Sequence, residues 1–305
     1  MRPKYVLSLD GGGSHLLIQL GILACLEEDT GTSSYDLFDM IAGSSSGGML
    51  SCMILGRCMS ALELIELAVQ GDLLQYMMTE HKFLRLFHQL QIYPKYLGST
   101  KRKVLQSELT DLRLSSLEKR IFIPCFNLST DQLEVFTNDN PSDFLLSEIA
   151  DACTAAPSFY PPVQMEDGDW RIDGGVGMNN PGLSSYIHAQ HCWESNEIRV
   201  LAIGSGWRSF SLQGASACVY GGLQWSAKGI ASIILREKMM ANVKMTEEIL
   251  GSRFLYINHC LKDFGLPDQM DSASNRTMQR KALDIGVQWY ARQRKQIRQW
   301  MRSKI

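Results

Sequence analysis

Ser45 lies between Gly43 and Gly47 in the stretch Ile41-Ala42-Gly43-Ser44-Ser45-Ser46-Gly47-Gly48. That G-x-S-x-G spacing is what a nucleophilic serine on a sharp turn requires. The turn strains the backbone, and glycines two before and two after the serine remove the side chains that would collide. A second stretch, Asp10-Gly11-Gly12-Gly13, offers successive backbone N–H groups of the kind that hold an oxyanion in acyl transfer. A third candidate, Asp173, ends a short apolar run with Gly174 and Gly175 behind it. Each has an ordinary alternative: serine and glycine crowd tight loops, and a carboxylate before two glycines is a common turn.

The flanking elements decide between these readings. Tyr5 to Leu9 reads as a short strand that runs into the glycine loop, followed by helical spacing from His15 to Glu28. A strand, a glycine loop and a helix N-terminus form an anion-binding arrangement. A nucleotide site fits poorly, because Leu16 stands where the third glycine of G-x-G-x-x-G belongs and no Gly-Lys-Ser/Thr follows. The apolar run Leu37 to Ala42 and the run Met49 to Leu55 make Ser45 the apex between a strand and a helix. Residues 56 to 118 read as mostly helical, with an apolar patch at Phe83, Leu84, Leu86, Phe87 and Leu90 that suits core packing, a chain-binding groove or a lid. Further strands are expected at Arg120 to Leu128, Leu133 to Thr137, up to Asp173, Val200 to Ile203 and Phe254 to Asn258, with helices at Ile149 to Cys153 and 221 to 250. Strands alternating with helices over the whole length imply one α/β domain with a mainly parallel sheet. Ser45, the glycine loop and Asp173 would then share the carboxyl edge, where open α/β sheets hold their sites.

The chain has 305 residues, 45% of them hydrophobic, enough for a substantial core. It contains no run of about 18 apolar residues and no signal-peptide core near its start, so it reads as a cytoplasmic protein. Eight cysteines without a C-x-x-C pair read as reduced core residues. No metal or other cofactor is implied. His81, His88, His188, His191 and His259 show no metal-ligand spacing, and no oxygen-rich calcium loop stands out.

Four blocks, taken together, resemble the patatin-like phospholipase family of bacterial type: Asp10-Gly11-Gly12-Gly13, Phe38 through Gly48, Thr154-Ala155-Ala156-Pro157 to Pro162, and Asp173-Gly174-Gly175 through Pro181. They stand in the family's order and span about the first 205 residues. The resemblance implies a three-layer α/β/α fold and hydrolysis of acyl esters in phospholipids, lysophospholipids or neutral lipids without a cofactor. It implies Ser45 as nucleophile, Asp173 as its base, and Gly11, Gly12 and Gly13 as oxyanion hole, with Gly43, Gly47, Gly174 and Gly175 supporting the turns. Ser14-His15-Leu16 departs from the family's usual aliphatic residue, arginine and glycine, which leaves His15 as the candidate head-group contact.

Two alternatives accompany this reading. An α/β-hydrolase with a Ser45, Asp173 and His259 triad would have the right chain order. An inactive or activator-dependent lipid- or protein-binding domain is the other, and intact Ser45 and Asp173 argue against an inactive one.

The charge is uneven. From Asn275 onward nine basic residues stand against one acid, which gives +8 and leaves about −10 for the remainder of a chain whose net charge is −2. The domain is expected over residues 1–270 and a basic helical tail over 271–305, packed on the acidic body or lying peripherally on an anionic membrane. Leu283, Val287, Tyr290, Ile297 and Met301 are expected to form its apolar face, with Trp289 and Trp300 beside it. Nucleic acid is not expected, because no binding motif accompanies the charge. Oligomeric state has no signature, nor has delivery into another cell.

Overall fold

The structure, a computed structural model, describes residues 2–80, 93–139, 141–193, 197–207, 214–227, 229–267 and 269–301. The aromatic patch at 83–90, His81 and His88 lie outside the described residues.

Eight strands form one sheet: β1 (Lys4–Leu9), β2 (Met40–Gly43), β3 (Arg120–Asn127), β4 (Gln132–Phe136), β5 (Val163–Gln164), β6 (Trp170–Asp173), β7 (Ile198–Ile203) and β8 (Phe254–Ile257). Their order is β5-β6-β3-β2-β1-β7-β8, with β4 paired to β3. The pairs from β3 through β2, β1 and β7 to β8 are parallel. The central strands are continuous apolar runs because both faces are covered. Alternate residues separate cleanly. Tyr5, Leu7, Leu9, Ile41, Leu201 and Ile203 enter one core, and Val6, Met40, Ala42, Val200 and Ala202 enter the other. A period-two split between two cores is the signature of a three-layer α/β/α domain.

The first core is roofed by α1 (Leu16–Thr30), the short α2 (Ser34–Leu37), α3 (Ser46–Arg57), α4 (Ala61–Ile65), α5 (Leu73–Met77), α6 (Gly98–Leu109) and α7 (Leu146–Cys153). The second is covered by α8 (Gly182–Cys192), after which come short turns α9 (Gly214–Ala217) and α10 (Gly222–Ala227) and the long α11 (Ile230–Leu250). The terminal α12 (Arg276–Trp300) returns to the first face and packs along α1.

Two elements differ from the sequence reading. The apolar run from Leu37 is not all strand: Ser33 Oγ accepts from the Asp36 N–H and closes α2 through Leu37, so β2 begins only at Met40. The helical region 221–250 breaks at Gly229, whose φ is +79°, giving α10 and α11. The sheet is mainly parallel, as expected, with antiparallel strands at one side. The carboxyl half of β3 extends beyond β2, and β4 and β6 run antiparallel to it on its two sides.

Helix α12 has its aromatic residues at the centre of its buried face. Trp289 is fully buried and Trp300 meets Tyr5 edge-on at 5.4 Å, with Ile285, Tyr290 and Ile297 on the same side, whereas Val287 is exposed. Arg294 and Arg298 bond Asp29 of α1. The two helices touch through glycine: a Cβ on Gly286 would lie 2.2 Å from the Ile18 carbonyl oxygen and 3.0 Å from Gly21 Cα. The basic charge therefore decorates a helix that is part of the body. Gly286→Val is expected to cost about 3 kcal/mol or more by overpacking this crossing, read from urea denaturation.

Candidate active site

β1 and β2 lie side by side with Leu9 opposite Gly43, so the glycine loop and the serine turn leave the sheet together. The Ser44 N–H donates to the Leu9 carbonyl at 3.0 Å. Ser45 follows in a conformation that side chains rarely adopt, φ +52° and ψ −126°, and then α3 begins. The glycines at two before and two after are sterically obligatory. A Cβ on Gly43 would fall 2.2 Å from the Gly47 carbonyl oxygen, and one on Gly47 would fall 2.4 Å from that of Leu9.

Ser45 is buried, and its hydroxyl donates to Asp173 Oδ2 at 2.5 Å. Asp173 reaches it from the end of β6, opposite Cys125 of β3, with its own N–H on the Ala155 carbonyl at 3.1 Å. Its other oxygen, Oδ1, accepts from the Gly175 N–H at 2.7 Å. Burial raises the Asp173 carboxyl to about 6, against the bonds from Ser45 and Gly175 and the nearby Lys101 charge, which pull it down. Among the described residues no imidazole stands between the two. His259 packs its ring on Trp289 at 5.0 Å, so the Ser45, Asp173 and His259 triad is not formed.

Lys101 is the group that sequence reasoning missed. It is fully buried, forms an ion pair with Asp151 Oδ1 at 3.0 Å, donates to the Asp151 carbonyl at 2.6 Å and the Thr154 hydroxyl at 3.1 Å, and lies 4.4 Å from the Tyr160 ring centroid. The pair ties α6 to α7 just ahead of the Thr154-Ala155-Ala156 turn that receives Asp173. One lysine within Lys101-Arg102-Lys103 carries no signal that it is the buried one.

The glycine loop is held from both sides. The Gly11 N–H donates to the Asn179 carbonyl at 3.2 Å and the Gly12 N–H to Ser46 Oγ at 3.2 Å. Among the described residues the Gly13 N–H makes no hydrogen bond, and Gly13 lines the cavity above Ser45. Of the three glycines expected to hold an oxyanion, Gly13 is thus the one whose donor stands uncommitted. Ser14 donates its N–H to the Met270 carbonyl at 2.6 Å.

Asp10 anchors the loop. Its carboxyl accepts from the Asn180 amide and the Tyr256 hydroxyl, each at 2.7 Å, and burial lifts it to about 7 despite those two bonds. Leu16, Met49, Leu74, Met77, Met78 and Phe159 give the Ser45 cavity an apolar wall. His15 is buried, bonds the Ser272 hydroxyl at 2.8 Å and lines a neighbouring, more polar cavity with Gly11, Gly12, Ser205 and Arg236. Within the described residues no helix is long and apolar enough to cross a membrane.

Comparison with known proteins shows the family. The profile of the patatin-like phospholipase family matches residues 7–183. Patatin-like protein 2 of Oryza sativa subsp. japonica is 27% identical over 303 residues, covering 85% of this chain and 75% of that protein. The cGAMP-activated phospholipase of Pseudomonas aeruginosa is 27% identical over 278 residues, covering 88% and 80%. VipD from Legionella pneumophila shares the fold, with a TM-score of 0.50 at 14% identity over 99% of this chain and 67% of that one.

A pH dependence of stability follows from Asp10. Between its ordinary pKa and about 7 the folded state keeps a proton that the unfolded chain releases, so stability falls as pH rises through that window. Between pH 5 and 8 the wild type should lose roughly 3 kcal/mol more than Asp10→Asn. Parallel urea titrations at the two pH values would measure it, and equal slopes would contradict the assignment.

Proposed function

The chain belongs to the patatin-like phospholipase family, and from that premise we propose that it is a lipid acyl hydrolase, a serine esterase working through a Ser45–Asp173 dyad. The observation that carries this reading is the 2.5 Å bond from Ser45 Oγ to Asp173 Oδ2, made by a serine strained onto the apex of its turn beneath an apolar cavity. A serine hydroxyl is a weak nucleophile until a positioned base takes its proton, and a carboxylate raised to about 6 remains mostly ionised at neutral pH.

In the proposed reaction Asp173 takes the Ser45 proton as Oγ adds to the ester carbonyl. The resulting oxyanion meets the free Gly13 N–H, backed by the N-terminus of α3. Collapse breaks the acyl–oxygen bond, Asp173 hands its proton to the leaving alcohol, and the acyl group remains on Ser45. Asp173 then deprotonates water for the second addition, the fatty acid leaves, and the proton returns to Ser45.

The acyl chain would occupy the cavity of Leu74, Met77 and Phe159, and a polar head group the adjoining cavity of His15 and Arg236. For peripheral membrane contact we favour the side of α11 that exposes Ile234, Leu235 and Met240, since Leu235 also lines the head-group cavity and α12 is packed on α1.

With phospholipid vesicles as substrate, Ser45→Ala and Asp173→Asn should each lower fatty-acid release by at least about a thousandfold while the proteins stay folded. The wild-type kcat/KM should rise with pH to a plateau, with a midpoint near 6, because the protonated carboxyl cannot act as base. A profile flat from pH 5 to 8 would remove Asp173 from that role.

A specific contact favours dependence on an activator. The Met270 carbonyl occupies the Ser14 N–H beside Gly13, and Asp271, which lines the Ser45 cavity with Tyr96, is held by Lys95 at 2.5 Å and by the Tyr96 hydroxyl at 2.6 Å. Met270 and Asp271 thus form part of the wall of the Ser45 cavity, and cGAMP, named for the Pseudomonas aeruginosa relative, is the first effector to test. Asp271→Asn should raise basal hydrolysis several-fold and cGAMP should raise that of the wild type; no change in either would leave the enzyme constitutive.

A further inference from the structure

At the end of α8 remote from the dyad, three different donors converge. His188 Nε2 lies 3.4 Å from Asp139 Oδ2, Cys192 Sγ lies 3.5 Å from the same oxygen, and the sulfur and nitrogen are 3.4 Å apart. We propose that Asp139, His188 and Cys192 bind one divalent transition-metal ion of the zinc class.

The geometry is specific. Zinc bonds of about 2.3 Å to sulfur and about 2.0–2.2 Å to nitrogen and oxygen, at tetrahedral angles, place donor atoms roughly 3.3–3.6 Å apart. The three edges observed here are those of one face of such a tetrahedron. All three side chains are reached by solvent, which leaves the fourth position for water.

The donor set of thiol, imidazole and carboxylate suits a borderline ion better than calcium or magnesium, which prefer all-oxygen sites. The supports are ordered. His188 and Cys192 stand four apart on the last turn of α8, where both face one way. The His188 ring rests on Phe122 of β3 at 5.6 Å. Asp139 follows Asn138, whose amide is fixed on the Leu117 and Lys119 carbonyls. Sequence spacing hid the site because Asp139 comes from a loop 53 residues before Cys192.

Binding would break the Cys192 S–H bond and form a metal–sulfur bond, releasing one proton per ion to solvent. The ion would tie the loop after β4 to α8. Gly182, at the other end of that helix about 15 Å away, follows Asn180, the partner of Asp10. The site is therefore a staple for the frame of the active site and takes no part in the chemistry.

The test uses the full chain freed of metal and titrated with cobalt(II), then zinc(II). One equivalent of cobalt should bind with a thiolate-to-metal charge-transfer band in the near ultraviolet, and zinc should abolish the band. Zinc at a hundredfold excess over its Kd should raise Tm by about 4 °C. Cys192→Ser and His188→Gln should each weaken binding at least a hundredfold, whereas Cys58→Ser should leave it unchanged. A readout without substitution is alkylation mapped by mass spectrometry: zinc should slow modification of Cys192 and spare that of Cys58. Absence of the charge-transfer band, a band that survives Cys192→Ser, or Cys192 alkylation indifferent to zinc would each overturn the proposal.

Discussion

The 2.5 Å hydrogen bond between Ser45 and Asp173 joins residues 128 positions apart, and the architecture around it reads as the means of closing that distance. Ser45 is fixed by the parallel register of β1 and β2, which sets Leu9 against Gly43, and by glycines that let α3 start directly beneath the turn. Asp173 arrives by a different route. The carboxyl half of β3 projects past its parallel neighbours, and β6 runs back along it, so that an antiparallel strand delivers its last residue to the carboxyl edge of a parallel sheet.

Burial governs the electrostatics of the frame. Asp173 and Asp10 are both buried carboxyls raised toward neutrality, yet their surroundings divide their tasks. Asp173 faces a serine hydroxyl and the cavity, where a poised base is useful. Asp10 faces Asn180 and Tyr256, whose donors hold the glycine loop to α8 and β8. The Lys101–Asp151 pair supplies the fixed charge behind the dyad. A buried pair of this kind contributes little net stability, and Arg102 holds the other Asp151 oxygen at 2.9 Å.

Local chemistry was legible in the sequence, and long-range pairing was not. Gly43, Ser45 and Gly47 spell out a steric requirement within five residues, and Asp10 to Gly13 spell out a loop of donors behind a strand. The apolar strands were legible because burial on both faces leaves no polar alternation. The antiparallel direction of β6 was hidden, since strand direction is set by connections and partners rather than by composition. So was the division of labour in the glycine loop. Which N–H is already taken depends on Asn179, Ser46 and Met270, all distant in the chain. Trp289 and Trp300 were read as standing beside an apolar face that included Val287, but the glycine contact of Gly21 with Gly286 turns the tryptophan side of α12 inward and leaves Val287 exposed. Lys101 and the cluster at Asp139 escaped for the same reason: each becomes distinctive only once a remote segment is folded against it.

The most direct test of the account is covalent labelling with a fluorophosphonate that reports activated serine, located by peptide mass spectrometry in the wild type and in Asp173→Asn. The account predicts a single adduct at Ser45 in the wild type, and labelling slowed by orders of magnitude in the folded variant. Labelling at another serine, or at Ser45 with an unchanged rate in Asp173→Asn, would contradict the Ser45–Asp173 dyad.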